Sequence, residues 1–205
     1  MMQGTRELNI SCVLLAAGSS KRFGASNKLL AKTGSVTVIA KTCRLLQQFS
    51  FQEFVIVLGY EHEKLRAQLS PDAHTIVNHH YYKGLASSLR CGITSLSKSC
   101  DGILIHLADI PFVKRNTIQT LLDNFQLEQG AKICLPVYNN KQGHPVIFPV
   151  YFKNELTTLS GDTGARDLIR TYSEKVMKIE VTDKNITIDI DRKSDLNQKM
   201  EGTQE

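Results

Sequence analysis

Several features that would assign a function at once are missing from this chain of 205 residues. It has no C-x-x-C pair among its five cysteines and no Lys/Arg run. It also has no apolar run near the roughly 18 residues of a membrane span. These absences argue against a zinc site, a nucleic-acid stripe and a transmembrane helix. The odd cysteine count favours reduced thiols, and the polar N-terminus lacks the apolar core of a signal peptide. We expect a cytoplasmic protein that binds neither membrane nor nucleic acid.

The composition is that of an ordinary globular protein, with 41% hydrophobic and 22% charged residues. A chain of this length can bury one substantial core. We expect a single domain over residues 1–197 and a flexible polar tail at residues 198–205. The net charge of +5 is diffuse, which favours a small anionic ligand over a nucleic-acid surface.

Apolar strands alternate with helical segments along most of the chain. Strands are predicted at residues 12–16, 54–58, 75–77, 102–107 and 132–137. Helices are predicted at the end of residues 28–49 and at residues 61–69, 86–96 and 117–129. This order indicates an α/β, Rossmann-like fold, with a mostly parallel sheet covered by helices on both faces. Such sheets bind ligands beyond the carboxyl ends of their strands.

The loop after the first strand has the chemistry of a polyphosphate site. Its small residues, Leu15-Ala16-Ala17-Gly18, let backbone N–H groups approach an anion, and Arg22 and Lys28 would neutralise it. It is not a Walker loop, because Gly18 and Gly24 are separated by five residues. The dinucleotide fingerprint Gly-x-Gly-x-x-Gly is also absent. A strand-to-helix turn with solvated charges is the alternative.

Acidic residues follow two further segments. Asp109 ends an apolar strand, where it could bind Mg²⁺ through a hard oxygen ligand or serve as a helix N-cap. Residues 186–191 alternate isoleucine with polar residues, which predicts a strand carrying Asp189 and Asp191 on one face. Two like charges there repel unless a cation or water separates them, so a solvated edge strand is the alternative. Together with Asp109, the pair predicts a metal clamp.

Two other loops offer polar groups. Asn78 and Ser87 could donate to phosphate or ribose, although helix capping explains Ser87 almost as well. His144, within Gly143-His144-Pro145, could act as an acid/base or contact a phosphate. A lone loop histidine is more often neither.

A second glycine-hinged loop enters a helix near the end of the chain. Gly161, Asp162, Gly164 and Arg166 could hold another anionic group, and a capped helix start is the alternative. No nucleophile-plus-base pair accompanies these loops. Two anion loops and a metal-capable acid set suit phosphoryl or nucleotidyl transfer better than hydrolysis by covalent catalysis.

With these residues assembled, the chain resembles the small nucleotidyltransferases that activate the molybdenum cofactor, and among them the cytidylyltransferases. The resemblance covers residues 12–196 and rests on ordered motifs that begin at Leu15, Asn27, Gly84, Leu107, Gly143, Gly161 and Asp189. It implies a fold of the nucleotide-diphospho-sugar transferase type. It also implies transfer of CMP from CTP to the terminal phosphate of molybdopterin or molybdenum cofactor, with release of pyrophosphate.

The resemblance also implies a role for each matching residue. The residues implied to hold the base and ribose are Leu15, Ala16, Ala17 and Gly18. Arg22 and Lys28 would neutralise the triphosphate, while Asp109 and Asp191 would bind Mg²⁺. The loops at 143–145 and 161–166 would face the pterin. A molybdenum hydroxylase is the client enzyme that such an activity would serve.

Two positions bear on substrate choice. Ala17 stands where guanylyl-transferring relatives usually carry glycine, which favours CTP over GTP. Gln142 stands where the family often carries an arginine, which keeps a sugar, polyol or phospho-acid acceptor open. A carrier that binds the cofactor without catalysis is a third hypothesis, but a carrier does not need a triphosphate and metal site.

Overall fold

The computed structural model of the chain describes residues 6–20, 23–24, 26–162 and 164–197. The strands are β1 (Ile10–Ala16), β2 (Lys32–Thr33), β3 (Val36–Thr37), β4 (Phe54–Leu58), β5 (Thr75–Val77), β6 (Gly102–Leu107), β7 (Ile133–Tyr138), β8 (Lys141–Gln142), β9 (Val146–Pro149) and β10 (Val176–Glu180). The α-helices are α1 (Val38–Leu46), α2 (His62–Arg66), α3 (Leu85–Ser95), α4 (Arg115–Leu127), α5 (Lys153–Thr158), α6 (Arg166–Thr171) and α7 (Lys193–Asn197). The expected 198–205 tail lies outside the described residues.

The main sheet has eight strands, in the order β10-β7-β9-β6-β1-β4-β5 with β8 paired to β7. Strand β1 runs parallel to both β6 and β4, β4 runs parallel to β5, and β7 runs parallel to β10. Strand β9 runs antiparallel between β6 and β7. The predicted mostly parallel sheet is therefore confirmed, with one reversed strand inside it.

Both faces of the sheet are buried under helices. Along β1, Cys12 and Leu14 join one apolar cluster, while Val13 and Leu15 join the other, because successive strand side chains point to opposite faces. Helices α1, α2 and α4 contribute to the first cluster, and α3, α5 and α6 contribute to the second. Among the described residues, no helix combines the length and apolarity needed to cross a bilayer.

The strand predicted over residues 186–191 is wrong. Residues Lys184–Thr187 form a 3-10 helix that begins where the Asp183 carboxylate accepts from the Asn185 N–H at 3.1 Å. The Ile190 N–H then donates to the Asp109 carbonyl at 2.9 Å. This local capping and isolated tertiary hydrogen bonds replace the ladder that the alternating pattern predicted.

Gly92 on α3 lies where the helix crosses the sheet. A Cβ added there would lie 2.5 Å from Val13 Cγ1 and 2.8 Å from Val57 Cγ2. Gly92→Ala gains about 1 kcal/mol of helix propensity, but overpacking of this kind costs about 1–3 kcal/mol. We expect a net loss in the free energy of unfolding, measured by urea denaturation. Exposed Thr94→Ala on the same helix is the control, and a Gly92→Ala protein as stable as wild type would contradict the packing.

His106 on β6 is fully buried, and its Nε2 donates to the Ile110 carbonyl at 3.2 Å. Burial, and then the nearby His144 ring, lower the pKa of His106 from 6.5 to about 3. Below about pH 6.5 the unfolded chain therefore binds a proton that the folded protein excludes.

We expect the free energy of unfolding to fall by about 2 kcal/mol through His106 between pH 7 and pH 5. Thermal melts at the two pH values should show a smaller difference for His106→Leu than for wild type. Exposed His79→Leu should keep the wild-type difference. Equal pH dependence in wild type and His106→Leu would refute this assignment.

Candidate active site

The carboxyl ends of β1, β4 and β6 border a cleft of about 800 Å³. The loop that follows β1 is tied to the two neighbouring strand ends. The Leu15 carbonyl accepts from the Ala108 N–H at 3.0 Å, and the Ala17 carbonyl accepts from the Tyr60 N–H at 3.2 Å. All four residues at 15–18 line the cleft, and nothing lies within 4 Å of a Cβ added at Gly18. This opening leaves the backbone accessible to a ligand.

Lys28 is held at the cleft by its neighbour Asn27, whose side chain is buried. Asn27 Oδ1 accepts from the Leu29 N–H at 3.0 Å, which begins the 3-10 helix Lys28–Leu30. Asn27 Nδ2 donates to the Tyr60 carbonyl at 3.2 Å, and Ser20 Oγ accepts from the Lys28 N–H at 3.2 Å. One of the sequence motifs begins at Asn27, but nothing in that motif indicates that Asn27 positions Lys28.

The Lys28 ammonium bridges two acids from distant parts of the chain. Its Nζ lies 2.5 Å from Asp109 Oδ2 and 3.0 Å from Asp191 Oδ1. Burial alone would lower the pKa of Lys28, but Asp109 and then Asp191 raise it above its ordinary 10.5. Lys28 therefore stays charged at neutral pH, as the phosphate-binding hypothesis requires. Arg22, the second predicted cation, lies outside the described residues.

Asp189 completes a group of three carboxylates. Asp109, Asp189 and Asp191 each offer an oxygen, and these oxygens lie within 4.8 Å of one another. Partial burial, then Asp191 and Asp109, raise the pKa of Asp189 above its ordinary 3.8. Burial is the largest cause of this rise, the two neighbouring carboxylates add to it, and Lys28 opposes it. Hard, clustered oxygen donors with a net negative charge fit a divalent cation such as Mg²⁺.

A smaller pocket of about 190 Å³ adjoins the cleft and shares Leu15, Leu85, Leu107 and Asp162 with it. The predicted acceptor residues that line this pocket are Gly143, His144, Asp162, Gly164 and Arg166. Pro145 and Gly161 precede or follow lining residues without being among them. The two predicted acceptor loops are therefore brought together beside the cleft.

The acceptor loop at residues 142–145 rests on the segment that carries the acids. The His144 N–H donates to the Ile186 carbonyl at 2.9 Å, and a Cβ added at Gly143 would lie 2.5 Å from that same oxygen. Only glycine fits this approach. Burial lowers the pKa of His144 to about 4, although Asp109 opposes the shift. His144 is therefore neutral at pH 7.

The second acceptor loop docks on the start of α3. Asp162 Oδ1 accepts from the Leu85 N–H at 3.2 Å, and the Gly161 carbonyl accepts from the Ala86 N–H at 3.1 Å. Gly84 has a φ of +98°, and a Cβ there would lie 2.4 Å from Asp162 Oδ1. The loop at residues 161–166 and the start of α3 are far apart in the sequence, but in the structure they form one wall.

Asn78 and Ser87 are buried, and they bond to each other rather than line the cleft. Asn78 Nδ2 donates to Ser87 Oγ at 2.9 Å and to Ser88 Oγ at 3.0 Å. Three aromatic residues that the sequence patterns did not single out line the cleft instead: Tyr60, Tyr81 and Tyr82. The adjacent Tyr81 and Tyr82, shortly after Asn78, were the available signal.

Known proteins share this architecture. Residues 12–176 match the MobA-like NTP transferase domain. The chain is 29% identical over 192 residues to the nicotine blue oxidoreductase of Paenarthrobacter nicotinovorans, covering 89% of this chain and 92% of that protein.

Solved structures agree with the fold. Rv0371c from Mycobacterium tuberculosis H37Rv is similar with a TM-score of 0.83 and 28% identity, over 94% of this chain and 97% of that one. A manganese complex of Rv0371c from the same strain has a TM-score of 0.78 and 26% identity, over 95% and 99%. The expected fold of the nucleotide-diphospho-sugar transferase type is confirmed. The chain belongs to the MobA-like NTP transferase family and is a nucleotidyltransferase.

Proposed function

We propose that this nucleotidyltransferase transfers CMP from CTP to the terminal phosphate of molybdopterin or molybdenum cofactor. The observation that carries the proposal is the meeting of Lys28, Asp109 and Asp191 at one cleft beside the loop after β1. That cleft adjoins the pocket of the two acceptor loops. A triphosphate in the cleft and a phosphorylated acceptor in the pocket could therefore lie next to each other.

The proposed step is an in-line displacement. An oxygen of the acceptor phosphate attacks the α-phosphorus of CTP, the bond from that phosphorus to the β-phosphate oxygen breaks, and pyrophosphate leaves. Lys28 stabilises the charge that builds on the triphosphate, and Arg22 adds a second cation. Mg²⁺ held by Asp109 and Asp191, when bound, supplies charge neutralisation between the two anionic reactants. The manganese complex of the similar Rv0371c supports a divalent cation.

The loop after β1 positions the nucleoside in this proposal. The backbone at Leu15, Ala16, Ala17 and Gly18 holds the base and ribose, and nothing blocks it at Gly18. Ala17 favours CTP, because guanylyl-transferring relatives usually carry glycine there. Asn78 and Ser87 support this part of the cleft from behind, through the turn between them.

The acceptor loops recognise the pterin and its phosphate. Arg166 supplies a cation for the phosphate, and the neutral His144 offers a hydrogen bond without adding charge. The shape of these loops depends on Gly143, Pro145, Gly161, Asp162 and Gly164.

Gln142 lines the acceptor pocket where an arginine is common in the family, which supports a second candidate, another phosphorylated acceptor. The relative named as a nicotine blue oxidoreductase suggests a different chemistry on the same fold.

The test of the proposal is to incubate the protein with Mg²⁺, each nucleoside triphosphate and one acceptor at a time. The acceptors are molybdopterin, molybdenum cofactor, and sugar, polyol and phospho-acid phosphates. Pyrophosphate release with CTP and the pterin alone supports the proposal. Release with another pair, or turnover of nicotine blue without pyrophosphate release, refutes it.

Asp109→Asn keeps the shape of the side chain but removes its charge from the acid group. We expect pyrophosphate release to fall about a hundred- to a thousandfold, as when one electrostatic stabiliser is lost. The circular dichroism spectrum should stay that of wild type. Exposed Asp72→Asn, which removes a charge elsewhere, should react at the wild-type rate. A near-wild-type rate for Asp109→Asn would remove the metal assignment.

Lys28→Met separates the two uses of the ammonium. Because Lys28 and a divalent cation compete for the same carboxylates, Mn²⁺ without nucleotide should bind at least about fivefold more tightly. Pyrophosphate release should nevertheless fall, since the triphosphate loses its cation. Mn²⁺ binding is measured by electron paramagnetic resonance, with exposed Lys98→Met as the control for net charge. Unchanged or weaker Mn²⁺ binding would show that the cation does not use these oxygens.

A further inference from the structure

We propose that the ring of Tyr82 is a stacking surface for the nucleobase of the bound nucleotide. This inference rests on the proposed function only in taking CTP as the ligand. Tyr82 belongs to none of the sequence motifs described above, and the proposal gives it a role in positioning the base. The ring sits at the mouth of the cleft and would close over one face of the base.

The exposure of Tyr82 is unusual for this protein. The residue is 69% exposed, and among the described residues the other exposed large hydrophobic residues are Leu127 and Tyr151. Leu127 ends α4 and Tyr151 follows β9, and neither residue lines the cleft. Tyr82 alone of the three faces a ligand-sized cavity. An aromatic face kept in water at such a place has surface to bury when a flat ligand arrives.

The ring is also held in place before any ligand binds. Tyr82 Oη lies 3.3 Å from His80 Nδ1, within hydrogen-bonding distance. The ring packs edge-on against His80, with centroids 6.0 Å apart, and against Tyr81 at 6.1 Å. A ring fixed in this way loses little conformational entropy on stacking, which favours binding.

Buried hydrogen bonds fix the turn that carries Tyr82. Asn78 Oδ1 accepts from the His80 N–H at 2.9 Å, and Ser87 Oγ donates to the His80 carbonyl at 2.9 Å. Asn78 Nδ2 in turn donates to Ser87 Oγ. The backbone of His80 is thus held on both sides, and the 3-10 helix Tyr81–Lys83 follows directly. Asn78 and Ser87 gain an indirect role in nucleotide binding through this mount.

The position of Tyr81 indicates which end of the cleft the ring of Tyr82, the tyrosine shelf, lies at. A Cβ added at Gly59 would lie 2.7 Å from Ala17 Cβ and 2.8 Å from Tyr81 Cβ, so Gly59 separates these two residues by its own width. Tyr81 therefore lies against the loop proposed for the base and ribose. Tyr82 follows it, at the same end of the cleft. The carboxylates and Lys28, which suit phosphates, are grouped with one another in the same cleft.

Stacking on Tyr82 would add affinity without choosing a base. Every nucleobase has a π face, so the same ring accepts all of them, and the choice of CTP is left to the loop after β1. Removing the ring should therefore weaken all nucleoside triphosphates together, while ligands without a base should be unaffected.

The experiment measures Kd by calorimetry, with Mg²⁺ present, for CTP and for inorganic tripolyphosphate. We expect Tyr82→Ala to weaken CTP binding about tenfold, a size typical of one base–aromatic stack, and to leave tripolyphosphate unchanged. Tyr82→Phe keeps the ring and should restore CTP affinity to within about threefold of wild type. Leu127→Ala, which trims another exposed side chain, is the matched control.

A direct reporter is available because the sequence has no tryptophan. Tyr82→Trp places a single indole at the shelf, and CTP should quench its fluorescence while tripolyphosphate should not. This signal does not depend on turnover.

Three results would overturn the inference. Equal CTP affinity in wild type and Tyr82→Ala would show that the ring makes no stack. An equal loss for tripolyphosphate would show a general distortion of the cleft. A change confined to the KM of molybdopterin would show that the ring serves the acceptor. Failure of the proposed function looks different, because wild type would then bind CTP, with its tyrosine shelf intact, yet release no pyrophosphate with the pterin.

Discussion

The mutual repulsion of three carboxylates is the constraint around which this protein is arranged. Asp109, Asp189 and Asp191 hold oxygens within 4.8 Å of one another, and such a cluster persists only where other interactions hold it. The Lys28 ammonium supplies one of them, by bridging two of the acids. The other is geometric, because the backbone bond from Ile190 to Asp109 joins the two acidic segments directly.

The segment from residue 183 to residue 191 links the two halves of the site. At one end the buried Asp183 carboxylate accepts from the Lys114 N–H and Thr117 Oγ1 at the start of α4. In its middle the Ile186 carbonyl receives the acceptor loop through the His144 N–H. Its last residues are the acids themselves. The clustered carboxylates and the loop at residues 142–145 are therefore both attached to this one segment.

Much of this arrangement could be predicted from the sequence, and what could not has physical causes. Strands β4, β5 and β6 and the convergence of Lys28 with Asp109 follow from long apolar runs and from the rule that ligands bind at carboxyl strand ends. Strand β10 was missed because it is a half-exposed edge with a weak pattern. The strand expected at residues 186–191 failed because alternation measures burial, not pairing. Asn27 and Asn78 position the site through tertiary hydrogen bonds, which produce no periodic pattern in the sequence.

The reversed strand β9 has a consequence for how such a site can diversify. Because Val146 pairs with Ile105 near the end of β6, the loop that precedes β9 emerges at the same edge of the sheet as the loop that follows β1. Had β9 run parallel, that loop would open on the opposite edge. The loop before β9 and the loop after β1 therefore meet at one edge of the sheet although they belong to different strands. Under the proposed function, changes in the loop before β9 would alter which acceptor fits, while the loop that holds the nucleotide keeps its attachment to β1 in the middle of the sheet.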